Sequence, residues 1–352
     1  MAGVQVLPDA MRVAVYRGQG SMVVEERPVP KVGPGDVLLE VSHCGICGSD
    51  IHFVTEGWGT PGSIEGHEWS GRVVAVGDAV TQWEVGDLAV GGPSPRCGEC
   101  EHCLAGRPSL CVTRNTPGAA AHSDGAFAEY VLTSEVSIRR IPADMPLRVA
   151  ALAEPLAVAL HGLTRGGVRA GQRLLVMGAG PIGTLSVAAA RARGVTDIVV
   201  SEPHPKRRAL AERLGAVVVE PESLVVPPSP GEVVGEPFDV ALDCSGNAKA
   251  MEAGLGQLKR GGTLVLVGAG MHRPRFDNNR ILLNELVITG SFVYDADGFD
   301  RALELLAKPE FPSDVLIEGG DVPLDAILDA INGLHDGELA AKVMIVPGRQ
   351  GI

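Results

Sequence analysis

No run in this 352-residue sequence approaches the ~20 consecutive apolar residues that span a bilayer. The most apolar stretch, Val149 to Leu160, is interrupted by Glu154 and Pro155. Met1 to Met11 lacks the basic start and apolar run of a secretory signal. Basic charge is also short: 30 Lys and Arg face 43 Asp and Glu, for a net charge of −13. Nucleic acid and anionic membranes repel such a chain, so neither is an expected partner. Internal repeats and low-complexity tracts are missing, and 45 % apolar with 21 % charged residues is an ordinary globular composition. Together these absences lead us to expect a cytoplasmic protein, long enough for two domains. In a reducing compartment its cysteines serve as metal ligands or core residues rather than disulfides.

The cysteines that are present are clustered, six of the seven lying between Cys44 and Cys111. Cys97, Cys100, Cys103 and Cys111 follow the spacing C-x2-C-x2-C-x7-C. Four thiolates this close complete a tetrahedral shell around Zn²⁺ with no open position, so a metal held here is structural. The bacterial ferredoxin pattern needs a three-residue last gap followed by proline, and this sequence has neither. His102 lies inside the lobe, is not needed as a ligand, and reads as a surface histidine.

Two textures divide the chain. From about residue 11 to 150, short β-branched runs alternate with Gly, Pro and Asp: Arg12 to Tyr16, Asp36 to Val41, Gly71 to Val76, Asp87 to Val90 and Phe127 to Val131. That pattern predicts an antiparallel, turn-rich β domain. From about 160 to 290 strands alternate with helices. Strands are expected at Arg173 to Met177, Asp197 to Ser201, Ala216 to Val219, Phe238 to Asp243, Thr263 to Val267 and Leu286 to Thr289. Helices are expected at Ile182 to Arg193, Lys206 to Gly215 and Ala248 to Leu258. Six buried strands separated by helices predict a doubly wound parallel sheet, hence an α/β fold. Beyond it, Phe299 to Ala307 reads as a helix and Ala341 to Val346 as a strand returning to the first domain.

Gly178, Gly180 and Gly183, with Pro181 and Ile182 between, stand where the first of those strands opens into a helix. The first glycine allows a tight turn, the second lets the backbone approach a pyrophosphate, and the third permits close helix–strand packing. Free N–H groups of the helix N-terminus then face the phosphates. Glu202 lies 19 residues past Gly183, where a carboxylate binds the ribose hydroxyls of NAD and repels a 2′-phosphate. A purely structural turn would not call for that acid. Lys206, Arg207 and Arg208 follow closely and offer NADP a competing set of charges, so NAD is expected and NADP is the alternative.

Upstream stand Cys44, Cys47, Ser49, Asp50 and His52, then His67 and Glu68, and much later Glu154. One Cys, one His and one Glu leave a fourth position for water or substrate, the open site that a catalytic zinc requires. Over essentially its whole length the chain resembles the zinc-containing medium-chain dehydrogenase/reductase superfamily. The likeness rests on Cys47-Gly-Ser-Asp-x-His52, Gly66-His-Glu-x-x-Gly71, Val85-Gly-Asp87, the four-cysteine lobe and Gly178-x-Gly-x-x-Gly183. Glu154-Pro155 is similar to the polyol, threonine and butanediol dehydrogenase branch.

The resemblance implies a GroES-like catalytic domain over residues 1–157, completed by 293–352, and a Rossmann cofactor domain over 158–292. It implies two zinc ions per subunit, one held by Cys47, His67 and Glu154 and one by the lobe. Glu68 would be a supporting group or an alternate ligand. Asp50 would orient the ligand histidine, and Ser49 and His52 would relay the proton. Ser245 and Gly246 would lie near the cofactor, with Arg207 beside it. Cys44 reads as packing, Cys244 as inert, His161 as structural, and His43 has no assigned role. The expected activity is reversible NAD-linked oxidation of a secondary alcohol, diol or polyol. A primary alcohol or aldehyde reductase of the same superfamily and a non-catalytic NAD-binding protein are the alternatives. Ile51, Phe53, Trp58, Ile64, Pro93, Asn115 and Tyr294 are candidate pocket residues by their proximity to family positions. The segment Ile288 to Tyr294 is expected at a subunit edge of a homodimer or homotetramer, as in that superfamily.

Overall fold

The computed structural model describes residues 7–93, 97–113 and 124–348. Hairpin β1 (Ala10–Gly18) and β2 (Ser21–Pro28) stands beside a larger, mostly antiparallel sheet. That sheet holds β3 (Asp36–Gly45), β4 (Glu68–Val76), β5 (Leu88–Gly91), β6 (Tyr130–Ser134) and β7 (Ile138–Arg140). Helix α1 (Gly48–Glu56) bridges β3 and β4, and α2 (Glu101–Leu104) lies in the cysteine lobe. Short α3 (Leu147–Ala150) leads into α4 (Ala153–Arg165), which carries the chain to the second sheet.

The second sheet is built from β8 (Arg173–Met177), β9 (Asp197–Ser201), β10 (Val217–Val219), β11 (Phe238–Asp243), β12 (Leu258–Leu266) and β13 (Val287–Gly290). Its connecting helices are α5 (Pro181–Ala192), α6 (Pro205–Arg213), α7 (Ala248–Gly256) and α8 (Asn278–Asn284). All pairs are parallel, in the order β10-β9-β8-β11-β12-β13. This is the doubly wound dinucleotide-binding order, and its switch point falls between β8 and β11, at the glycine loop. After it come α9 (Gly298–Leu306), α10 (Ser313–Leu316), β14 (Val322–Pro323), α11 (Ile327–His335) and β15 (Met344–Val346). β15 returns to the first sheet, Met344 pairing with Gly45 and Ile345 with Cys44.

Several expectations are corrected. Leu147–Arg165 is, by length and composition, apolar enough to cross a membrane, although the sequence reading found no such run. Pro155 does not break the helix, because it sits in the first turn, where no intrahelical N–H is required. Of that window 72 % is buried, and Leu156, Leu160 and Leu163 of α4 belong to the core cluster shared with the parallel sheet. The strand expected at Phe127 to Val131 begins only at Tyr130. Phe127 to Glu129 instead bridge to β1, through Ala14 N to Phe127 O and Glu129 N to Arg12 O, while Gly125, Ala126 and Phe127 donate to the 64–66 ribbon. The return strand expected from Ala341 starts at Met344, and Lys342 before it bridges to Ile317 instead. β2 went unassigned because Glu25, Glu26 and Arg27 mask its alternation on a half-exposed hairpin.

Candidate active site

Cys47 is the N-cap residue of α1, and Asp50 one turn on accepts its backbone N–H at 2.8 Å. The reciprocal cap fixes the start of the helix and with it the direction of Cys47 Sγ. His67 and Glu68 arrive on the entry to β4, just after Gly66, whose φ of 94° turns the chain. Donor atoms of Cys47, His67 and Glu68 all lie within 4.8 Å of one another. Glu154, in the first turn of α4, is outside that group but is buried beside it and lines the same cavity.

Charge in this pocket is unbalanced. Burial pushes the Asp50 carboxyl up to about 6, with His67 opposing it. Burial pushes Glu154 up to about 8, His67 again opposing and Glu68 reinforcing the shift. For His67 burial disfavours the charge, yet Cys47, Asp50 and Glu154 outweigh it and hold the imidazole well above its usual range. The anionic donors therefore outnumber the cations facing them, and this donor set suits a divalent cation such as zinc. Asp50 Oδ1 lies 3.9 Å from His67 Nδ1, the position of a carboxylate that orients a ligand histidine.

Sequence reasoning missed Lys342. Its Nζ lies 2.7 and 2.6 Å from the two oxygens of Glu68 and donates to Ile46 O at 2.8 Å, with lysine and glutamate both about fully buried. Burial works against the ammonium, but Glu68 holds its pKa above the usual lysine value. The available signal was one lysine inside the apolar run Ala340 to Val346. A charge within a strand bound for burial needs a partner.

In the lobe, all four sulfurs lie within 4.8 Å of one another, with Cys97–Cys103 at 3.9 Å and Cys97–Cys111 at 3.6 Å. Zn–S bonds of about 2.3 Å in a tetrahedron put sulfurs about 3.8 Å apart, so the spacing fits a closed shell of four thiolates. His102 is about one-third exposed and faces Glu101, away from ligation.

The glycine loop closes over the C-terminal ends of the parallel strands. Gly178 has φ 92°, and a side chain there would press on Ser245. Pro181 is the first residue of α5, with Gly180 as its N-cap. Glu202 accepts backbone N–H groups from Ala179 at 2.7 Å and His204 at 2.9 Å, which fixes its carboxylate under the loop. Ser245 donates to Asp243 at 2.6 Å. Of the three consecutive basic residues in the first turn of α6, Arg207 lines the cavity and also donates to Leu334 O at 2.6 Å. Arg208 is spent on the Glu202 and Pro203 carbonyls and on Glu220, and Lys206 on Glu338 O.

One cavity of about 1470 Å³ joins the metal donors to the glycine loop, and Ser49 and His52 line it. Ile51, Phe53, Ile64 and Pro93 line it as expected. Trp58 and Tyr294 do not. Trp58 is stacked behind His52, and Tyr294 is 1 % exposed with its ring edge-on to Phe299 at 5.0 Å. Asn115 lies outside the described residues. Cys44 is a buried core residue, and burial raises the thiol pKa of both Cys44 and Cys244. His161 is buried against Asp295 at 3.3 Å, a structural placement.

A fold that joins a mostly antiparallel sheet to a doubly wound one, with a cysteine lobe and a Cys/His/Glu pocket opening on the glycine loop, defines a nicotinamide-linked, zinc-binding oxidoreductase. Residues 33–143 match the model of the alcohol dehydrogenase GroES-like domain, and 181–308 match that of the zinc-binding dehydrogenases. The chain belongs to the zinc-containing medium-chain dehydrogenase/reductase family, in its polyol and threonine dehydrogenase branch. It is 34 % identical to the L-threonine 3-dehydrogenase of Chelativorans sp. (strain BNC1), over 91 % of this chain and 94 % of that one. It is 32 % identical to the sorbitol dehydrogenase of Bacillus subtilis (strain 168), over 97 % and 99 %. A zinc-binding dehydrogenase of Sinorhizobium meliloti 1021, solved with NADP, superposes with a TM-score of 0.83 at 32 % identity, over 97 % of this chain and all of that one.

Proposed function

We propose that this protein oxidises the carbinol carbon of a secondary alcohol, diol or polyol to the carbonyl, reversibly, with NAD as hydride acceptor. The observation that carries the reading is one cavity shared by the Cys47, His67 and Glu68 donors and the glycine loop. Cys47, His67 and Glu154 would hold the catalytic metal. Lys342 already engages both oxygens of Glu68, whereas Glu154 lacks such a cation and gains most from one. Zinc there supplies Lewis acidity at the substrate oxygen, and the nicotinamide supplies the hydride acceptor. The chain's own residues do the rest. Asp50 holds His67, the cavity walls exclude water, and Ser49 and His52 take the hydroxyl proton toward solvent. The lobe cysteines would hold a second, structural zinc.

Glu202 under the loop, with Lys206 and Arg208 committed to other partners, supports NAD over NADP. Residues 1–157 with 293–352 form the proposed catalytic domain, and 158–292 the cofactor domain. Assembly into a homo-oligomer fits β13, the edge strand of its sheet among the described residues, on and beside which Leu282, Leu283 and Val287 are 71, 59 and 50 % exposed. Steady-state rates on a panel of secondary alcohols, vicinal diols, sugar alcohols and L-threonine, each with NAD and NADP, test the proposal. Turnover of at least one neutral alcohol with NAD preferred is expected. No turnover with any of them, or a clear NADP preference, overturns it.

Metal removal gives a pH-dependent outcome. Without zinc, Asp50 and Glu154 have folded pKa values near 6 and 8, above ordinary carboxylate values. The folded state then binds more protons than the unfolded state between about pH 4 and 8, so its stability falls as pH rises through that window. Zinc replaces those protons, so the Tm increase on adding zinc to chelator-treated protein should be larger at pH 8 than at pH 6. An increase that is equal at both, or larger at pH 6, contradicts the assignment.

A further inference from the structure

His52 is held by two residues that do not themselves line the cavity. Its Nδ1 lies 2.9 Å from Oε1 of Glu56, four residues further along α1. Its ring lies flat on Trp58, with 4.6 Å between centroids and 14° between planes. The helix end makes both contacts possible. Glu56 is the last residue of α1, and Gly57 at φ 77° turns the chain so that Trp58 comes back alongside the helix. Gln19 braces the same turn by donating to Thr55 O at 2.7 Å.

A carboxylate only accepts hydrogen bonds, so the neutral imidazole must carry its proton on Nδ1 when it pairs with Glu56. That leaves Nε2 as the lone-pair nitrogen, the only one free for the cavity. We propose that Glu56 is a positioning residue for proton transfer. It fixes His52 in the tautomer whose Nε2 accepts the proton and then stabilises the imidazolium that forms, while Trp58 sets the plane of the ring. The inference rests on His52 being the proton acceptor of the dehydrogenase reaction. Other titratable residues line the same cavity, among them Glu65 on the 64–66 ribbon, Asp124, His335 on α11 and, at the metal donors, His67, Glu68 and Lys342. Among the described residues only Glu56 is within ion-pair distance of His52. An exposed i,i+4 pair contributes little to stability. Its consequence is therefore felt in the orientation and tautomer of the histidine.

Trp58 supplies a readout that needs no substrate. A stacked imidazole quenches an indole, so the difference in emission between the zinc-loaded protein and its Trp58→Phe variant reports how His52 sits on the ring. In Glu56→Ala that difference should shrink as the imidazole loses its fixed orientation. A several-fold fall in kcat should accompany it, KM for the cofactor should stay unchanged, and Glu56→Gln, whose amide oxygen still accepts from Nδ1–H, should restore part of the loss. His52→Ala should erase the fluorescence difference due to the imidazole, and His52→Ala/Glu56→Ala should be no slower than His52→Ala alone. An unchanged emission and kcat in Glu56→Ala, or rate losses that multiply in the double variant, overturns the proposal. A wild-type protein that oxidises no alcohol refutes the dehydrogenase reading instead, while the fluorescence difference still reports whether Glu56 holds the ring.

Discussion

Cys47→Ser or His67→Ala should abolish alcohol oxidation, with kcat/KM falling on the order of 10³-fold or more. A metal ion contributes several kcal/mol of charge stabilisation at the reacting oxygen, and each 1.4 kcal/mol is about a factor of ten in rate. The loss should be confined to chemistry. The glycine loop and Glu202 lie on the other sheet, so NADH should still bind, as followed by its own fluorescence. Metal analysis should show the lobe zinc retained and the other lost, because Cys97, Cys100, Cys103 and Cys111 form a separate cluster. A Cys47→Ser protein that turns over at near wild-type rates would rule out the metal mechanism.

Gly183→Ala should damage the opposite half of the reaction. An added Cβ there would collide with the Gly178 carbonyl oxygen, so α5 must move away from the β8 turn. Overpacking of this kind costs about 1–3 kcal/mol, which predicts NADH binding weakened by roughly 10- to 100-fold with both zincs in place. Gly180→Ala provides the contrast. Its φ is −66° and nothing lies within 4 Å of an added Cβ. That variant should keep the wild-type Tm yet bind NADH poorly, because the methyl group occupies space reserved for the pyrophosphate. Calorimetry on both variants checks the pair. If Gly180→Ala bound NADH normally, the loop would not be the phosphate site.

What the sequence revealed follows the range of the interactions involved. The parallel strands announced themselves because a buried strand is a continuous apolar run, and Phe238 to Asp243 was placed to the residue. The glycine loop and the four-cysteine lobe were legible because their partners are close in the chain. The metal pocket was only half legible, since Cys47 meets His67 and Glu68, with Glu154 beside them, through folding and not through spacing. Which carboxylate stands nearest the donors depends on burial and on Lys342, and neither leaves a local pattern. Trp58 was misplaced for a similar reason. Its backbone follows the cavity-lining helix, but Gly57 turns its ring behind His52.

The pairing of Glu68 with Lys342 joins residues 274 positions apart, with the whole parallel sheet between them. During synthesis the first sheet emerges with a buried carboxylate and an open strand edge at Cys44 and Gly45, and both wait for β15. The cofactor half has all of its strands in one contiguous stretch and can mature first. The catalytic half should complete its sheet only when its distant strand is added. Assembly of the metal pocket should then follow that of the cofactor fold. A ribosome-stalled chain ending before Lys342 should bind NADH while leaving the Cys47 pocket unformed.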